Sequence, residues 1–169
     1  MKSLLAVFAV WSLCLPGPVA AQRPPVQLVD VYRMVGEIRS EEGHPVVVLL
    51  YGSECSLSKA MFPGFVQAAR EYGPRGVKFL VFNTDGAEHG EYAGEFLRRH
   101  QAGFANMVVR DWAPGELSRA MKPIGIKVGS TWTRPLLAVL DRDGRVLHQS
   151  QGQTDLRPLH STLARVVAR

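Results

Sequence analysis

A chain of 169 residues is long enough for one compact domain and too short for two of ordinary size. Apolar residues make up 46% of it, a share typical of a protein with a globular core. The formal net charge is +5, but the basic residues are scattered and are not interleaved with aromatic ones, which argues against nucleic-acid binding.

The first 21 residues have the pattern of a secretory signal peptide. Lys2 supplies a short positive region, the stretch 4–15 is apolar, and Val19-Ala20-Ala21 supplies the small residues that a signal peptidase requires. The alternative is a retained membrane anchor, but the apolar stretch is shorter than the roughly 20 residues that a membrane span needs. We therefore expect a signal peptide over residues 1–21 and export to the periplasm or out of the cell.

Cleavage after Ala21 would remove Cys14 and leave Cys55 as the one cysteine of the mature chain. We expect residues 22–27 to form an extended leader. Residues 28–169 should form one domain, large enough to fold without a structural disulfide and free of membrane spans. An unpaired cysteine in an oxidising compartment is a liability unless it is buried or used, so Cys55 is either an inert core residue or a functional thiol.

Hydrophobic periodicity predicts helices that alternate with strands. The predicted elements are a helix over 28–38, a strand over 46–51, a helix over 57–72 kinked at Pro63, a strand over 77–82, a helix over 92–97, a weak strand over 104–109, a short helix over 116–121, a hairpin over 136–149 and a helix over 156–167. A strand–helix–strand half followed by a hairpin–helix half predicts an α/β fold, with a mixed sheet covered by helices on both faces.

Cys55 lies between the end of the predicted strand 46–51 and the start of the next helix. At the first turn of a helix, unpaired backbone N–H groups and the positive end of the helix dipole stabilise a thiolate. Ser58, three residues further on, can donate a hydroxyl hydrogen bond to the sulfur. The sequence therefore predicts an activated thiol at Cys55, with Ser58 as its hydrogen-bond partner.

The chain resembles the thioredoxin-like superfamily, in particular its exported bacterial members, from about residue 26 to the C-terminus. The residues that carry the resemblance are the strand 46–51, the segment Cys55-Ser56-Leu57-Ser58-Lys59, Pro63, the stretch 77–85, and Pro135 before the run 136–140. The resemblance implies a three-layer fold around a central mixed sheet. It also implies that Pro135 is a cis-proline that lies against the redox cysteine and helps to bind an extended peptide by β-type pairing.

Three residues depart from the pattern of that family. Ser58 occupies the place of the second cysteine of a Cys-x-x-Cys motif, so the motif is Cys-x-x-Ser here. Leu49 occupies the place of a buried carboxylate, and Glu54 that of a tryptophan. Without a second thiol, Cys55 cannot release a captured substrate by internal attack. The negative charge of Glu54 is expected to raise the pKa of Cys55.

Two further residues lie just before Pro135. Arg134 stands where the family generally has a small residue. Its guanidinium could favour the Cys55 thiolate, bind a carboxylate of a substrate, or point into solvent. Trp132 could shape a peptide-binding groove beside Cys55, or it could simply pack against the domain.

A single thiol leaves three functions open. Cys55 could form mixed disulfides with exported proteins that a small outside thiol then resolves, or it could shuffle disulfides in those proteins. The site could also be redox-inactive, with the fold serving as a binding module in an envelope assembly. We expect a monothiol thiol–disulfide oxidoreductase or isomerase. No cofactor or metal is implied, because one cysteine and five dispersed, solvated histidines do not form a cluster.

Overall fold

The computed structural model describes residues 25–129 and 131–168. The predicted signal peptide and residues 22–24 of the predicted leader lie outside this part of the chain. The strands are β1 (Val26–Val29), β2 (Val46–Tyr51), β3 (Lys78–Asn83), β4 (Asn106–Val109), β5 (Leu136–Leu140) and β6 (Val146–Gln151). The α-helices are α1 (Val31–Arg39), α2 (Ser56–Tyr72), α3 (Gly90–Arg99), α4 (Pro114–Met121) and α5 (Arg157–Val167).

The strands form one six-stranded sheet in the order β1-β4-β3-β2-β5-β6. The first four strands of that order are parallel, whereas β5 runs antiparallel to both β2 and β6. The carboxyl ends of β2 and β3 therefore meet the beginning of β5 at one edge of the sheet. This arrangement brings together the segments that carry the predicted site, and it confirms the α/β fold with a mixed sheet.

Strand β2 shows why the sheet is covered on both faces. All six of its residues are buried, as an unbroken apolar strand requires. Because side chains alternate along a strand, Val46, Val48 and Leu50 pack in a cluster with α1 and α4. Val47, Leu49 and Tyr51 pack in a second cluster with α2, α3 and α5. The two clusters are the two halves of the core.

The first predicted helix is wrong at its start. Residues Val26–Val29 form strand β1, which pairs in parallel with β4, so the sheet begins inside the stretch predicted as a leader. Leu28 is 45% exposed on this edge strand and is not part of a helix face. Helix α1 begins at Val31, where the Asp30 carboxylate accepts hydrogen bonds from two backbone N–H groups of the first turn.

The predicted strand 46–51 is β2 with the same bounds, and the other predicted elements are present with shifted ends. The weak strand is β4, the hairpin consists of β5 and β6, and Pro63 lies inside α2, which continues to Tyr72. No helix within the described ranges is long and apolar enough to cross a membrane.

Candidate active site

Cys55 lies where the loop after β2 meets the segment before β5. It is the N-cap residue of α2, with an extended backbone (φ −71°, ψ 121°), and its side chain is partly exposed. Its Sγ lies 3.6 Å from the carbonyl oxygen of Arg134, to which the thiol can donate. The Arg134–Pro135 peptide bond is cis, and Pro135 is buried. The structure thus brings Cys55 and the predicted proline segment together.

Several groups act on the charge of the Cys55 sulfur. Partial burial would by itself raise the pKa of Cys55. The hydrogen bonds from the backbone N–H and hydroxyl of Ser58 and from the N–H of Leu57, together with the positive charge of Arg134, outweigh burial and hold the pKa below that of an ordinary thiol. The N–H groups belong to the first turn of α2, as the position of Cys55 in the sequence predicted.

Ser58 is fully buried on the first turn of α2. Its hydroxyl oxygen accepts a hydrogen bond from the backbone N–H of Gly52 at 3.3 Å. Because that bond uses a lone pair, the hydroxyl proton remains available to the Cys55 sulfur. The Ser58 hydroxyl is one of the groups that lower the pKa of Cys55, and it offers no sulfur that could attack a mixed disulfide.

The Arg134 side chain does not point into open solvent, which was one of the three predicted alternatives. It is 36% exposed, and its Nη1 forms an ion pair with the carboxylate of Asp85. The same nitrogen lies 3.5 Å from the carbonyl oxygen of Thr84. The guanidinium is thus held by the residues that follow β3.

Asp85 is a site residue that the sequence analysis missed. Its Oδ2 accepts hydrogen bonds from the Ser53 backbone N–H at 2.5 Å and from the Asn83 amide at 3.0 Å. The Asn83 amide also donates to the Ser53 hydroxyl at 2.7 Å, and both of these residues are fully buried. A signal was present in the sequence, because the polar run 83–85 directly follows the predicted strand 77–82.

The pKa of Cys55 is lowered overall, so any upward contribution from the charge of Glu54 is outweighed by the Ser58, Leu57 and Arg134 groups. The Glu54 carboxylate accepts a hydrogen bond from the Tyr92 hydroxyl and binds Lys59 Nζ at 3.1 Å. These partners, the Tyr92 hydroxyl first, lower the pKa of Glu54 itself. An adjacent cation therefore offsets its negative charge near the sulfur.

The remaining predicted site residue, Trp132, lies against the ring of Trp112. The two ring centroids are 5.3 Å apart with an interplanar angle of 56°, and both rings pack on the core cluster that contains α1 and α4. This contact agrees with the alternative in which Trp132 packs against the domain. A role for Trp132 in a peptide groove stays a prediction.

His100 and His148 differ from the expectation that all five histidines are solvated, because both are partly buried, and burial lowers the pKa of His148. The ring of His100 packs against Phe62 and Phe96, with centroid distances of 5.1 and 4.6 Å. Burial lowers the pKa of His100. Among residues 25–129 and 131–168, no three histidine, cysteine or acidic side chains converge in a way that could hold a metal ion.

Comparison with solved structures identifies the fold. A putative thiol:disulfide interchange protein DsbE from Chlorobium tepidum matches with a TM-score of 0.58 and 22% identity, over 77% of this chain and 84% of that one. A thioredoxin family thiol:disulfide interchange protein from Chlorobium tepidum TLS matches with a TM-score of 0.59 and 19% identity, over 76% and 83%.

A secreted disulfide oxidoreductase from Mycobacterium tuberculosis, homologous to DsbE of E. coli, matches with a TM-score of 0.54 and 18% identity, over 78% of this chain and 86% of that one. No family model and no curated protein matches the chain. At these identities the likeness establishes the thioredoxin-like fold and confirms the predicted fold class.

Proposed function

We propose that the chain is an exported thioredoxin-fold protein that exchanges thiols and disulfides through one nucleophile, Cys55. One observation carries this proposal: a partly exposed sulfur of lowered pKa lies at the N-terminus of α2 and faces the cis Arg134–Pro135 bond. The names of the structural neighbours, which are those of thiol:disulfide interchange proteins, support it.

The reaction takes two exchange steps. The Cys55 thiolate attacks one sulfur of a substrate disulfide, a new S–S bond forms, and the other substrate sulfur leaves as a thiolate. A second thiolate then attacks the substrate sulfur of the mixed disulfide, forms a new S–S bond with it and releases the Cys55 thiolate. If the second thiolate belongs to the substrate, the net result is isomerisation. If it belongs to a small outside thiol, that thiol provides the electrons for release.

The residues around the sulfur have distinct roles in this scheme. The Ser58 hydroxyl donates a hydrogen bond to the thiolate. It takes no part in release, because a serine hydroxyl cannot displace Cys55 from a mixed disulfide. The segment at Arg134 and Pro135 holds an extended peptide beside Cys55 by β-type pairing. Trp132 forms one wall of the groove in which that peptide lies.

Export is part of the proposal. The signal-peptide pattern over residues 1–21 supports it, and so does the structural likeness to the secreted oxidoreductase from Mycobacterium tuberculosis. Disulfides persist in the periplasm and outside the cell, which is where such an exchange activity has substrates. N-terminal sequencing of the protein recovered from cells tests this point, and a sequence that starts at Gln22 is expected.

The activity is tested with the chain carrying Cys14→Ser, so that Cys55 is the one thiol. A test protein with scrambled disulfides is incubated with it in a buffer of reduced and oxidised glutathione. We expect native disulfides to form faster than in buffer alone, and a Cys55 mixed disulfide to be detected by mass spectrometry. The chain that carries Cys55→Ser as well as Cys14→Ser should show neither effect.

A rate equal to that of buffer alone, with Cys55 unmodified, would contradict the proposal. The binding module would then be the remaining candidate, and its partner would have to bind the Cys55→Ser variant as well as the unsubstituted chain.

A further inference from the structure

The guanidinium of Arg134 lies directly over the loop that carries Cys55. Gly52 has no side chain, and the Arg134 side chain fills the space above it. A Cβ atom on Gly52 would lie 2.7 Å from Nη1 and 3.2 Å from Cδ of Arg134. An acidic group next to a disulfide that approaches Cys55 would therefore meet this cation.

The cation is already paired within the chain. One oxygen of Asp85 contacts Arg134, and the other accepts the hydrogen bonds from Ser53 and Asn83. The Asp85 side chain is only 10% exposed. The carboxylate is thus fixed by partners from three segments: the loop after β2, the end of β3 and the residues before β5.

A substrate carboxylate would have to displace this internal one. A group attached to the same chain and already held in place competes at a high effective concentration, so an incoming carboxylate gains little by exchange. The pair of opposite charges also presents little net charge to an approaching substrate.

We propose that Asp85 is a specificity-determining residue that masks Arg134, so that the site reacts with acidic and neutral disulfides at similar rates. This inference rests on the proposed function, because it concerns which disulfides Cys55 accepts. It replaces the alternative in which Arg134 is an open receptor for substrate carboxylates.

Two aromatic disulfides test it in the chain carrying Cys14→Ser. Dithiobis(nitrobenzoate) has a carboxylate on each ring, and dithiodipyridine is neutral. With either reagent, the Cys55 thiolate attacks one sulfur, forms a mixed disulfide and releases one coloured aromatic thiol. We compare the rate constant for the acidic reagent with that for the neutral reagent as a ratio. This ratio does not depend on the fraction of Cys55 that is ionised, because both reactions use the same thiolate.

Asp85→Asn should raise this ratio about threefold or more, the size expected for one partly exposed ion pair. Adding Arg134→Met to Asp85→Asn should return the ratio to that of the parent chain, since both charges are then gone. Asp143→Asn is the matched control. Asp143 is exposed, pairs with Arg145 at 3.1 Å in the β5–β6 turn, and undergoes the same charge change at the opposite edge of the sheet. It should leave the ratio unchanged.

The inference is overturned if both reagents react but the ratio is the same in Asp85→Asn, or rises equally in Asp143→Asn. A second measurement does not depend on the variants folding. At about 0.15 M salt, where charges more than roughly 8 Å away are largely screened but a contact ion pair is not, the ratio for the parent chain should lie within about twofold of that for a neutral small thiol such as N-acetylcysteine amide. A ratio several-fold higher would mean that Arg134 is open. If Cys55 reacts with neither reagent, the proposed function fails together with this inference.

Discussion

Replacing Ser58 with alanine removes one hydroxyl with two roles. The oxygen accepts a hydrogen bond from the Gly52 N–H at 3.3 Å, and the hydroxyl lowers the pKa of Cys55. A hydrogen bond to a charged group contributes about 1.5–3 kcal/mol, and a partly exposed sulfur places this bond at or below the lower end. We take about 1 kcal/mol, which is roughly a fivefold smaller thiolate fraction at a pH below the pKa.

The reaction rate should change less than the thiolate fraction. A thiolate of higher pKa is a better nucleophile, and this gain offsets about half of the loss on a logarithmic scale. Alkylation of Cys55 near neutral pH should therefore slow only about twofold in Ser58→Ala. The midpoint of the pH profile, which reports the pKa directly, should move upward.

The assay is the rate of iodoacetamide alkylation measured across the pH range, in the background of Cys14→Ser. Ser56→Ala is the matched control, because Ser56 is an exposed serine on the same helical turn. It should leave the midpoint in place. A midpoint that stays fixed or falls in Ser58→Ala, or that rises equally in Ser56→Ala, would refute the role given to the Ser58 hydroxyl.

Two further predictions concern stability. Because the pKa of Cys55 is lowered in the folded protein, the unfolded chain binds more protons in the interval below the ordinary thiol value of about 8.5. Urea titrations give the difference in unfolding free energy between the parent chain and Cys55→Ser. This difference should rise with pH through that interval and be constant at lower pH. A fall with pH would contradict the lowered pKa. Gly52→Ala should cost about 1–3 kcal/mol, because its Cβ would lie 2.7 Å from Arg134 Nη1 and 2.8 Å from Asp85 Oδ1. Gly36→Ala in α1, where no atom lies within 4 Å of the added Cβ, should instead stabilise by up to about 1 kcal/mol; equal effects in the same titration would refute the close contact.

The fold could be predicted well where local pattern and burial agree. Strand β2 is an unbroken apolar run because helices cover both of its faces. The Asp143-Gly144 pair between two apolar runs is typical of a hairpin turn, and it lies between β5 and β6. Strand β1 could not be predicted in this way. It is an edge strand with exposed Val26 and Leu28, and only its pairing with the distant β4 makes it a strand.

The predicted site residues are those that lie in a short sequence motif or in a segment that carries the family resemblance. Cys55 and Ser58 lie on one helical turn, and the Cys55 sulfur faces Arg134, which lies beside Pro135. Asp85 was missed because an Asn-Thr-Asp-Gly run is typical of a turn, and its role depends on the order of strands in the sheet.

The partners of Glu54 could not be predicted for a similar reason. Its effect on Cys55 was predicted from adjacency alone, whereas the structure gives its carboxylate to Tyr92 and Lys59. Tyr92 lies on α3, which is distant in sequence, so this pairing is a property of the tertiary structure.

The lifetime of a Cys55 mixed disulfide tests the central claim most directly. The chain carrying Cys14→Ser is converted to a mixed disulfide with a cysteine peptide, freed of other thiols, and followed by intact mass. We expect the adduct to persist until a small thiol is added, whereas the same chain with Ser58→Cys should expel the peptide unaided and form an internal disulfide. Loss of the peptide from the single-thiol chain without an outside thiol, or failure of Cys55 to form the adduct, would contradict exchange through one nucleophile.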